Sequence, residues 1–410
     1  MQKPDYDIIV VGCGPGGATA ANFAALNGMR VLVVDQKREV GLPIQDGVSV
    51  LYSMSEAEEY AGIKIPFRWV ETQIGESAFF SPSGYYNGGQ TWPDGISIRR
   101  SMWEKGLAEN AGEHGAHIVM DTRLLDVLKD KNGKVKGVKV INGNEIKEFT
   151  CSIVIGADGV YGKVAHTCGI PLPTNPFVGL TYEMVGVYPK MKMPTYEIHI
   201  GDKISPGFFS WVIPHSDGKV GVGITLSPEH LKEDITARGI LKRFMKHLED
   251  IDRYHFDKAS MVAMVAGGST TVREPGAKYV DDNVMVIGDA AWRPMLGTRW
   301  GSAGMLTAII TGRWAAETAA QAIKEGDTSA ASLSRYPEKC AKSLGGRTKE
   351  IAEAREYYNK VIFLPDDKKD KAVKEIGKQI STLHLFLRGA FELTGCLPPV
   401  KAWFEKEGLS

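Results

Sequence analysis

Cysteine is scarce in this sequence, which also lacks an excess of charge of one sign and any long apolar run. The five cysteines show no C-x-x-C spacing, which argues against a zinc or iron–sulfur site and against a disulfide framework, so no metal is expected. Basic and acidic residues number 49 each, so net charge offers no attraction to nucleic acid. No apolar run approaches the roughly 18 residues of a membrane-spanning helix, and no signal peptide precedes the first predicted strand. These absences predict a cytoplasmic protein, with peripheral membrane contact left open.

What the sequence has instead is an N-terminal βαβ pattern. The apolar run 8–11 predicts a strand buried on both faces, and this strand leads directly into the glycine-rich motif G-x-G-x-x-G at 12–17. The alanine-rich segment 18–26 predicts a closely packed helix. Residues 30–34 predict a second buried strand, which ends at the acidic Asp35.

Each part of this pattern has a chemical reason to bind a dinucleotide. Gly12 permits the tight turn, Gly14 lets a pyrophosphate approach the backbone, and Gly17 lets helix and strand pack closely. The helix N terminus directs unpaired N–H groups at a phosphate. The carboxylate of Asp35 can accept hydrogen bonds from a ribose diol. The motif predicts a dinucleotide site, but it does not choose between NAD and FAD.

The middle of the chain predicts strands and one informative basic residue. A short predicted strand and a helix bring the chain back to the nucleotide-binding domain near Arg100. This residue could contact a cofactor phosphate or a flavin; a surface ion pair is the alternative. Residues 117–154 alternate as a β-meander that ends near Asp158-Gly159. Long aromatic strands within 178–226 predict a broad antiparallel sheet that forms one wall of an apolar pocket.

The last part of the chain is mostly helical in pattern. Residues 230–257 predict a charged helix, and 284–287 predict a buried strand that ends at Gly288-Asp289. A loop rich in glycine and proline then leads into a small-residue helix over about 302–323, whose N terminus points back to the cofactor region. The remainder carries no motif that indicates a function.

The order of these motifs resembles the flavoprotein family that includes para-hydroxybenzoate hydroxylase, in which FAD occupies the N-terminal site. The resemblance implies an α/β fold in which a Rossmann-like FAD-binding domain is interleaved with an antiparallel β-sheet substrate domain, followed by a C-terminal helical region. The implied boundaries are 1–65, 95–170 and 270–328 for the discontinuous FAD-binding domain, 66–94 and 171–269 for the substrate domain, and 329–410 for the helical region.

The same resemblance implies a set of cofactor contacts. The first glycine motif and the acid after it would hold the ADP half, the mid-chain Asp-Gly would lie near the pyrophosphate, and the late Gly-Asp would bind the ribityl chain. The implied cofactor-binding residues are Gly12, Gly14, Pro15, Gly17, Asp35, Gln36, Arg100, Asp158, Gly159, Gly288, Asp289, Pro294 and Gly301.

Within that superfamily the sequence most resembles the geranylgeranyl reductases. Val40-Gly41-Leu42-Pro43 is similar to the family's V/I-G-x-P loop, Arg100-Ser101-Met102-Trp103 to its R-x-x-F helix, and 209–214 (F-S-W-V-I-P) to its aromatic-x-W-x-F-P strand. Two departures stand out. The family's cysteine after G-x-P is absent from 44–47, and 294–301 reads P-M-L-G-T-R-W-G where P-x-T-G-x-G is usual.

This resemblance implies an FAD-dependent oxidoreductase that reduces carbon–carbon double bonds of a long isoprenoid by hydride transfer from N5 of reduced flavin. Phe209, Trp211 and Pro214 would line the substrate site, although plain sheet packing is the alternative for the aromatic residues. Asp46 is a speculative proton donor, against the alternative of a solvated loop carboxylate. The electron donor would be NAD(P)H or an electron-carrier protein, because no second dinucleotide motif is present.

Two other functions stay open from the sequence. The strand 209–214 also resembles the W-x-W-x-I-P strand of flavin halogenases, which implies a flavin-dependent monooxygenase or halogenase acting on an aromatic substrate. The other alternative is a flavin-binding protein without catalysis, acting as an electron carrier or a lipid-chain binder. Oxygen reactivity and turnover of a polyprenyl substrate distinguish the three.

Overall fold

The computed structural model describes residues 3–44, 49–90, 93–172, 176–189, 194–216, 218–228, 236–269, 277–291, 296, 304–376 and 390–409. Its strands are β1 Tyr6–Val11, β2 Val31–Val34, β3 Val50–Leu51, β4 Val70–Gln73, β5 Glu76–Phe80, β6 Tyr86–Gln90, β7 Ile96–Ile98, β8 His117–Val119, β9 Thr122–Lys129, β10 Val135–Asn142, β11 Glu145–Gly156, β12 Phe177–Val185, β13 Tyr188–Pro189, β14 Thr195–His199, β15 Ser210–Pro214, β16 Val220–Leu226, β17 Tyr254–His255, β18 Ser260–Ser269, β19 Val280–Asp281 and β20 Val284–Val286. Its helices are α1 Pro15–Leu26, α2 Met54–Ala61, α3 Arg100–Glu113, α4 Lys163–Thr167, α5 Ala237–Asp250, α6 Gly304–Glu325, α7 Ala330–Leu333, α8 Arg335–Ser343, α9 Thr348–Phe363, α10 Asp366–Ile376 and α11 Ala390–Lys406. Among these helices, none is both long and apolar enough to cross a membrane.

The first sheet is built on the N-terminal βαβ unit. It has eight strands in the order β19-β20-β11-β1-β2-β8, with β9 and β10 continuing from β11 as the predicted meander. Strands β20, β11, β1, β2 and β8 run parallel, and β1 lies at the centre with Val10 between Val33 and Ile155. The apolar runs predicted as strands are buried on both faces, as expected for a parallel sheet covered by helices.

Helices α1 and α6 pack closely against each other on this sheet. A Cβ atom at Gly312 would lie 2.3 Å from the carbonyl oxygen of Gly16, so the two backbones meet without an intervening side chain. Gly16 likewise approaches Ala308, whose carbonyl oxygen would lie 2.9 Å from an added Cβ. The small residues seen in both segments of the sequence therefore serve close helix packing.

The second sheet has seven strands in the order β18-β12-β16-β15-β14-β5-β6. Helix α5 covers one face, where Leu180, Val222 and Ile224 pack with its buried side chains. On the opposite face, Trp211 and Ile213 join the hydrophobic cluster of the nucleotide-binding sheet. The broad antiparallel sheet predicted from 178–226 is confirmed, and β14 pairs in parallel with β5 within it.

The helix predicted over 230–257 is too long at its C-terminal end, and 230–235 lie outside the described residues. Helix α5 begins after Thr236, whose side chain accepts a hydrogen bond from the backbone N–H of Gly239, and it ends at Asp250. Asp252 then adopts a left-handed conformation with φ 58°, which turns the chain into the short strand β17. The helix predicted from residue 302 is described from Gly304 onward, and 301–303 lie outside the described residues.

The C-terminal helices attach to the second sheet through α10. Asp370 accepts hydrogen bonds from the Ser81 and Ser83 hydroxyls in the turn that follows β5. Lys369 is only 2% exposed and pairs with Asp202 and Asp366. The helical character predicted for this region is confirmed, while the exact domain boundaries stay a proposal.

Candidate functional site

The three glycines of the N-terminal motif meet different surroundings. Gly12 has φ 102°, and an added Cβ would lie 2.4 Å from the carbonyl oxygen of Ala157. A Cβ at Gly17 would lie 1.9 Å from the carbonyl oxygen of Gly12. In the part of the chain that the structure describes, no atom outside its chain neighbours lies within 4 Å of the Cβ position at Gly14. Packing thus requires glycine at positions 12 and 17, whereas position 14 faces open space where a phosphate could approach.

The N terminus of α1 is suited to an anion. Gly14 is the N-cap residue and has no side chain to accept the free N–H groups of the first turn, and Pro15 occupies the first turn. No acidic residue lies in that turn. The unpaired N–H groups and the positive end of the helix dipole therefore remain available to a negatively charged ligand.

Asp35 is fixed at the end of β2 by two backbone donors. Its Oδ2 accepts a hydrogen bond from the N–H of Cys13 at 2.6 Å, and its Oδ1 accepts one from the N–H of Lys37 at 2.8 Å. Each carboxylate oxygen keeps a lone pair for a further donor such as a ribose hydroxyl. Gln36 beside it is exposed. Burial and the nearby carboxylate raise the pKa of the Cys13 thiol to about 12, so this thiol stays protonated.

Arg100 lies at the start of α3 in a buried ion pair. Its guanidinium donates to Oε1 of Glu104 from Nη2 at 2.6 Å and from Nε at 3.1 Å, and only 7% of the residue is exposed. Lys37 lies 3.9 Å from the other carboxylate oxygen of Glu104. The pair is therefore not the surface ion pair considered as the alternative. Glu104 was missed in the sequence, although its i,i+4 spacing from Arg100 is a usable signal.

Asp158 and Gly159 follow the carboxyl end of β11, next to the glycine motif. A Cβ atom at Gly12 would lie 3.1 Å from the backbone nitrogen of Asp158, which shows how close the two loops are. Oδ2 of Asp158 accepts a hydrogen bond from the N–H of Val164 at 3.0 Å at the start of α4. Burial raises the pKa of Asp158 to about 6. Gly159 has φ 76° and open space at its Cβ position.

Gly288 and Asp289 form a short turn after β20. The N–H of Gly288 donates to Oγ1 of Thr311 on α6 at 3.1 Å, and Gly288 has φ 55°. An added Cβ at Gly288 would lie 3.3 Å from Cβ of Ala308, the residue that also contacts Gly16. Helix α6 therefore joins the first and third motifs. The predicted site residues Asp46, Pro294 and Gly301 lie outside the described residues.

These residues fit an FAD molecule. The motif-bearing strands β2, β1, β11 and β20 are parallel neighbours, so their carboxyl ends meet at one edge of the sheet. That edge is where open α/β sheets bind ligands. The open position at Gly14 and the fixed Asp35 suit the pyrophosphate and the adenosine ribose.

Two loops that the sequence linked only by resemblance touch each other at this edge. Gly41 has φ 78°, and an added Cβ would lie 2.8 Å from Cα of Ser101. The Val40–Pro43 loop therefore packs on the start of α3. The proximity of this loop and the R-S-M-W helix could not be read from their separation in the chain.

Two of the predicted substrate residues, Phe209 and Trp211, lie on the face of the second sheet that is opposite α5, whereas Pro214 lies on the α5 side with Val212 and Val220. Trp211 is 1% exposed and lies across Gly223, whose added Cβ would be 2.3 Å from the indole ring. Phe209 is half-buried, with its ring centroid 5.9 Å from that of Trp211. Pro214 is buried at the end of β15. The Nε1 atom of Trp211 and Oγ1 of Thr181 are buried without a hydrogen-bond partner among the described residues.

The inner face around Trp211 is made of small residues, and we call it the small-residue face. The strand registers place nine residues on it in three rows: Gly179, Thr225 and Gly267; Thr181, Gly223 and Val265; Glu183, Gly221 and Ala263. Gly179 is buried, yet among the described residues a Cβ there would contact only the carbonyl oxygens of Gly267 and Ile224, at 3.7 and 3.9 Å. The face therefore leaves room beside Gly179, whereas the Trp211 indole lies over Gly223.

A polar cavity of about 260 Å³ lies where the Glu183 end of this face meets the start of α3. Its lining includes Glu71, Arg99, Arg100, Glu183, His215 and Lys219. Nδ1 of His215 lies 2.8 Å from the Ser97 hydroxyl, and burial lowers the pKa of His215 to about 4. The imidazole is therefore neutral near pH 7. The sequence did not indicate that His215 and Lys219 line a cavity, because only the tertiary structure brings them next to α3.

The chain matches known flavoproteins over most of its length. The sequence profile of the FAD binding domain family matches residues 5–344. The digeranylgeranylglycerophospholipid reductase of Methanothrix thermoacetophila is 29% identical over 407 residues and covers 97% of both chains. Digeranylgeranylglycerophospholipid reductase 2 of Methanopyrus kandleri is 30% identical over 364 residues and covers 87% of both chains.

Comparison with solved structures also gives flavoprotein neighbours. A geranylgeranyl bacteriochlorophyll reductase-like protein from Thermoplasma acidophilum superposes with a TM-score of 0.81, 26% identity and 98% coverage of both chains. A flavin-dependent brominase variant superposes with a TM-score of 0.72 at 19% identity, over 99% of this chain and 100% of its own. The second likeness concerns the fold alone.

Proposed function

This chain belongs to the geranylgeranyl reductase family of FAD-binding flavoproteins, and we propose that it reduces the carbon–carbon double bonds of a long isoprenoid chain in a lipid. It is an FAD-dependent oxidoreductase. The observation that carries the proposed substrate is the small-residue face, whose internal room at Gly179 lies on the same side of the sheet as Trp211. The related archaeal enzymes are named for digeranylgeranylglycerophospholipids, and we extend that substrate class to this chain.

The small-residue face suits an extended polyprenyl chain. Its small residues leave a short channel beside Gly179, bordered by the Trp211 indole over Gly223, and burial of each CH₂ group there contributes about 0.8 kcal/mol to binding. Trp211 and Phe209 would line the channel beside the flavin. The polar cavity at the Glu183 end would take the more hydrophilic part of the lipid.

Bound FAD would supply the hydride, from N5 of its reduced form, to one alkene carbon. The residues of this chain would bind and orient the cofactor. The first glycine motif and Asp35 would hold the ADP half, Arg100 would contact the cofactor, and the loops at Asp158-Gly159 and Gly288-Asp289 would orient the remainder of it.

The alkene also needs a proton on its second carbon. An isolated alkene is a poor hydride acceptor, so protonation must accompany reduction, and the faces of Trp211 and Phe209 would stabilise the developing positive charge. Asp46, which lies outside the described residues, is the proton donor that we propose. The electron donor that reduces the flavin would be NAD(P)H or an electron-carrier protein.

An anaerobic turnover experiment tests the proposal. The FAD-loaded protein is reduced chemically and mixed with geranylgeranyl diphosphate or a geranylgeranylated lipid, and the product is analysed by mass spectrometry. We expect a gain of two hydrogens per reduced bond, with reoxidation of one flavin for each. A Trp211→Leu variant should bind FAD normally but turn over more slowly.

Two results would contradict the proposal. If reduced flavin persists until oxygen is admitted, and an aromatic substrate is then hydroxylated or halogenated, the monooxygenase or halogenase alternative takes its place. If the isoprenoid binds and is recovered unchanged while the flavin stays reduced, the protein is a carrier or lipid-chain binder.

A further inference from the structure

The outer edge of the seven-stranded sheet exposes an apolar strand. β18 ends the sheet and pairs with β12, and no other strand in the described ranges lies on its outer side. Met261, Val262 and Met264 are 52%, 57% and 45% exposed. Large apolar side chains clustered on an edge strand are unusual for a protein that meets only water, and they mark an interaction surface.

Basic side chains border this strand on the adjacent helix. The guanidinium of Arg238 on α5 contacts the Met264 sulfur, with Nη2 and Sδ 3.6 Å apart. Lys242 lies one turn further along the helix and is exposed, as is Arg238. The buried residues of α5 point the other way, into the sheet. We call Arg238, Lys242, Met261, Val262 and Met264 the docking edge.

We propose that the docking edge binds the surface of an anionic lipid bilayer. Apolar side chains would enter the headgroup region while the adjacent cations meet lipid phosphates, as in interfacial helices of peripheral proteins. The proposal rests on the proposed function, because a lipid substrate must be taken from a membrane. It goes beyond that function by assigning the surface of the protein that contacts the membrane.

The position of β18 connects this surface to the proposed substrate channel. Ala263, Val265 and Gly267 of the same strand lie on the small-residue face, whereas Met264 lies on the α5 side. A chain drawn from the bilayer at this edge would need to cross only one strand to reach the channel. Membrane contact and substrate entry would then occur at one place.

A second copy of the chain fits the docking edge less well. Antiparallel pairing of two β18 strands would extend the sheet and place both α5 helices on one face. The cations Arg238 and Lys242 of one copy would then approach those of the other, and like charges disfavour that contact. An anionic surface has the complementary charge.

Vesicle co-sedimentation of the full-length FAD-loaded protein tests this inference. We expect binding to vesicles of phosphatidylcholine with phosphatidylglycerol, weaker binding to phosphatidylcholine alone, and a decrease as salt rises. The R238E/K242E variant should bind the anionic vesicles at least about 25-fold more weakly, since loss of each basic residue costs about fivefold and the new carboxylates are repelled by the lipid phosphates. V262S/M264S should also bind less. The matched controls, K131E/K136E and I146S, change exposed residues of the β9–β11 hairpins and should bind as the wild type does.

Several results would overturn the inference. The inference fails if the wild-type protein does not bind the anionic vesicles, or if the docking-edge variants bind them as well as the wild type does. It also fails if the matched controls lose as much vesicle binding as the docking-edge variants. If the wild type is a dimer and only the docking-edge variants are monomeric, the surface binds a second copy of the chain instead. Turnover of a detergent-dispersed isoprenoid separates this inference from the proposed function. We expect the turnover rate to be unchanged in all variants. A wild-type protein that binds vesicles but reduces no isoprenoid would refute the proposed function alone.

Discussion

The same glycine-to-alanine change should mainly reduce stability at one position of the first motif and mainly reduce cofactor affinity at another. At Gly17 the new methyl group would lie 1.9 Å from the carbonyl oxygen of Gly12, and the obstacle is backbone that cannot move without distorting the turn. We expect Gly17→Ala to lower the free energy of unfolding by about 3 kcal/mol or more. At Gly14 no described residue beyond its chain neighbours lies within 4 Å of the added methyl group. There the loss of stability should be about 1 kcal/mol or less, the cost of alanine at an N-cap.

Cofactor affinity should separate the two variants further. The methyl group of Gly14→Ala would occupy the space through which a pyrophosphate reaches the N terminus of α1. Steric overlap of that kind costs about 1–3 kcal/mol, so the FAD dissociation constant should rise roughly 5- to 150-fold. The assays are urea unfolding of the apoprotein and titration of FAD followed by its fluorescence.

Gly112→Ala is the matched control for both variants. Gly112 lies exposed in α3, far along the chain from the motif, with no atom within 4 Å of its Cβ position. Alanine there should stabilise the helix by about 0.5–1 kcal/mol and leave FAD affinity unchanged. The reasoning is refuted if Gly14→Ala binds FAD as tightly as the wild type does, or if Gly17→Ala unfolds at the wild-type urea concentration.

Three further changes test other parts of the structure. Gly179→Leu should raise KM for a geranylgeranyl substrate more than for a short prenyl substrate, while Gly179→Ala, whose methyl carbon would lie at an ordinary contact distance of 3.7 Å from the Gly267 carbonyl oxygen, should resemble the wild type; equal effects on both chain lengths would argue against a channel there. His215 has a folded pKa of about 4, below its unfolded value near 6.5, so its contribution to stability is complete above pH 6.5 and is lost as pH falls toward 4; it amounts to about 3 kcal/mol at most, and a His215→Gln variant should flatten the pH profile of unfolding in that window. Glu197 is fully buried and bonds to Arg253 at 2.5 Å on the α5 side of the sheet, so Glu197→Gln should cost about 3 kcal/mol in urea unfolding yet leave FAD affinity unchanged, and a parallel loss of FAD would show that the two faces are coupled.

Local patterns determined much of the nucleotide-binding half. The apolar runs before Gly12 and before Asp35 are short and unbroken, which specifies buried parallel strands, and the glycines between them specify the turn. The same local logic failed between 230 and 257, where a run of charged helix formers hid the left-handed turn at Asp252. Position-specific backbone geometry of this kind leaves little trace in composition.

Sequence alone therefore determined the βαβ unit, the family and the cofactor, because these depend on residues close together in the chain or in a fixed order of motifs. Tertiary structure decided what surrounds them. The buried partner of Arg100, the room at Gly179, the cavity beside His215 and the exposed edge strand β18 each depend on which segments the sheets bring side by side. Pairing between distant strands is set by the summed burial of both faces, and no single stretch of sequence contains that sum.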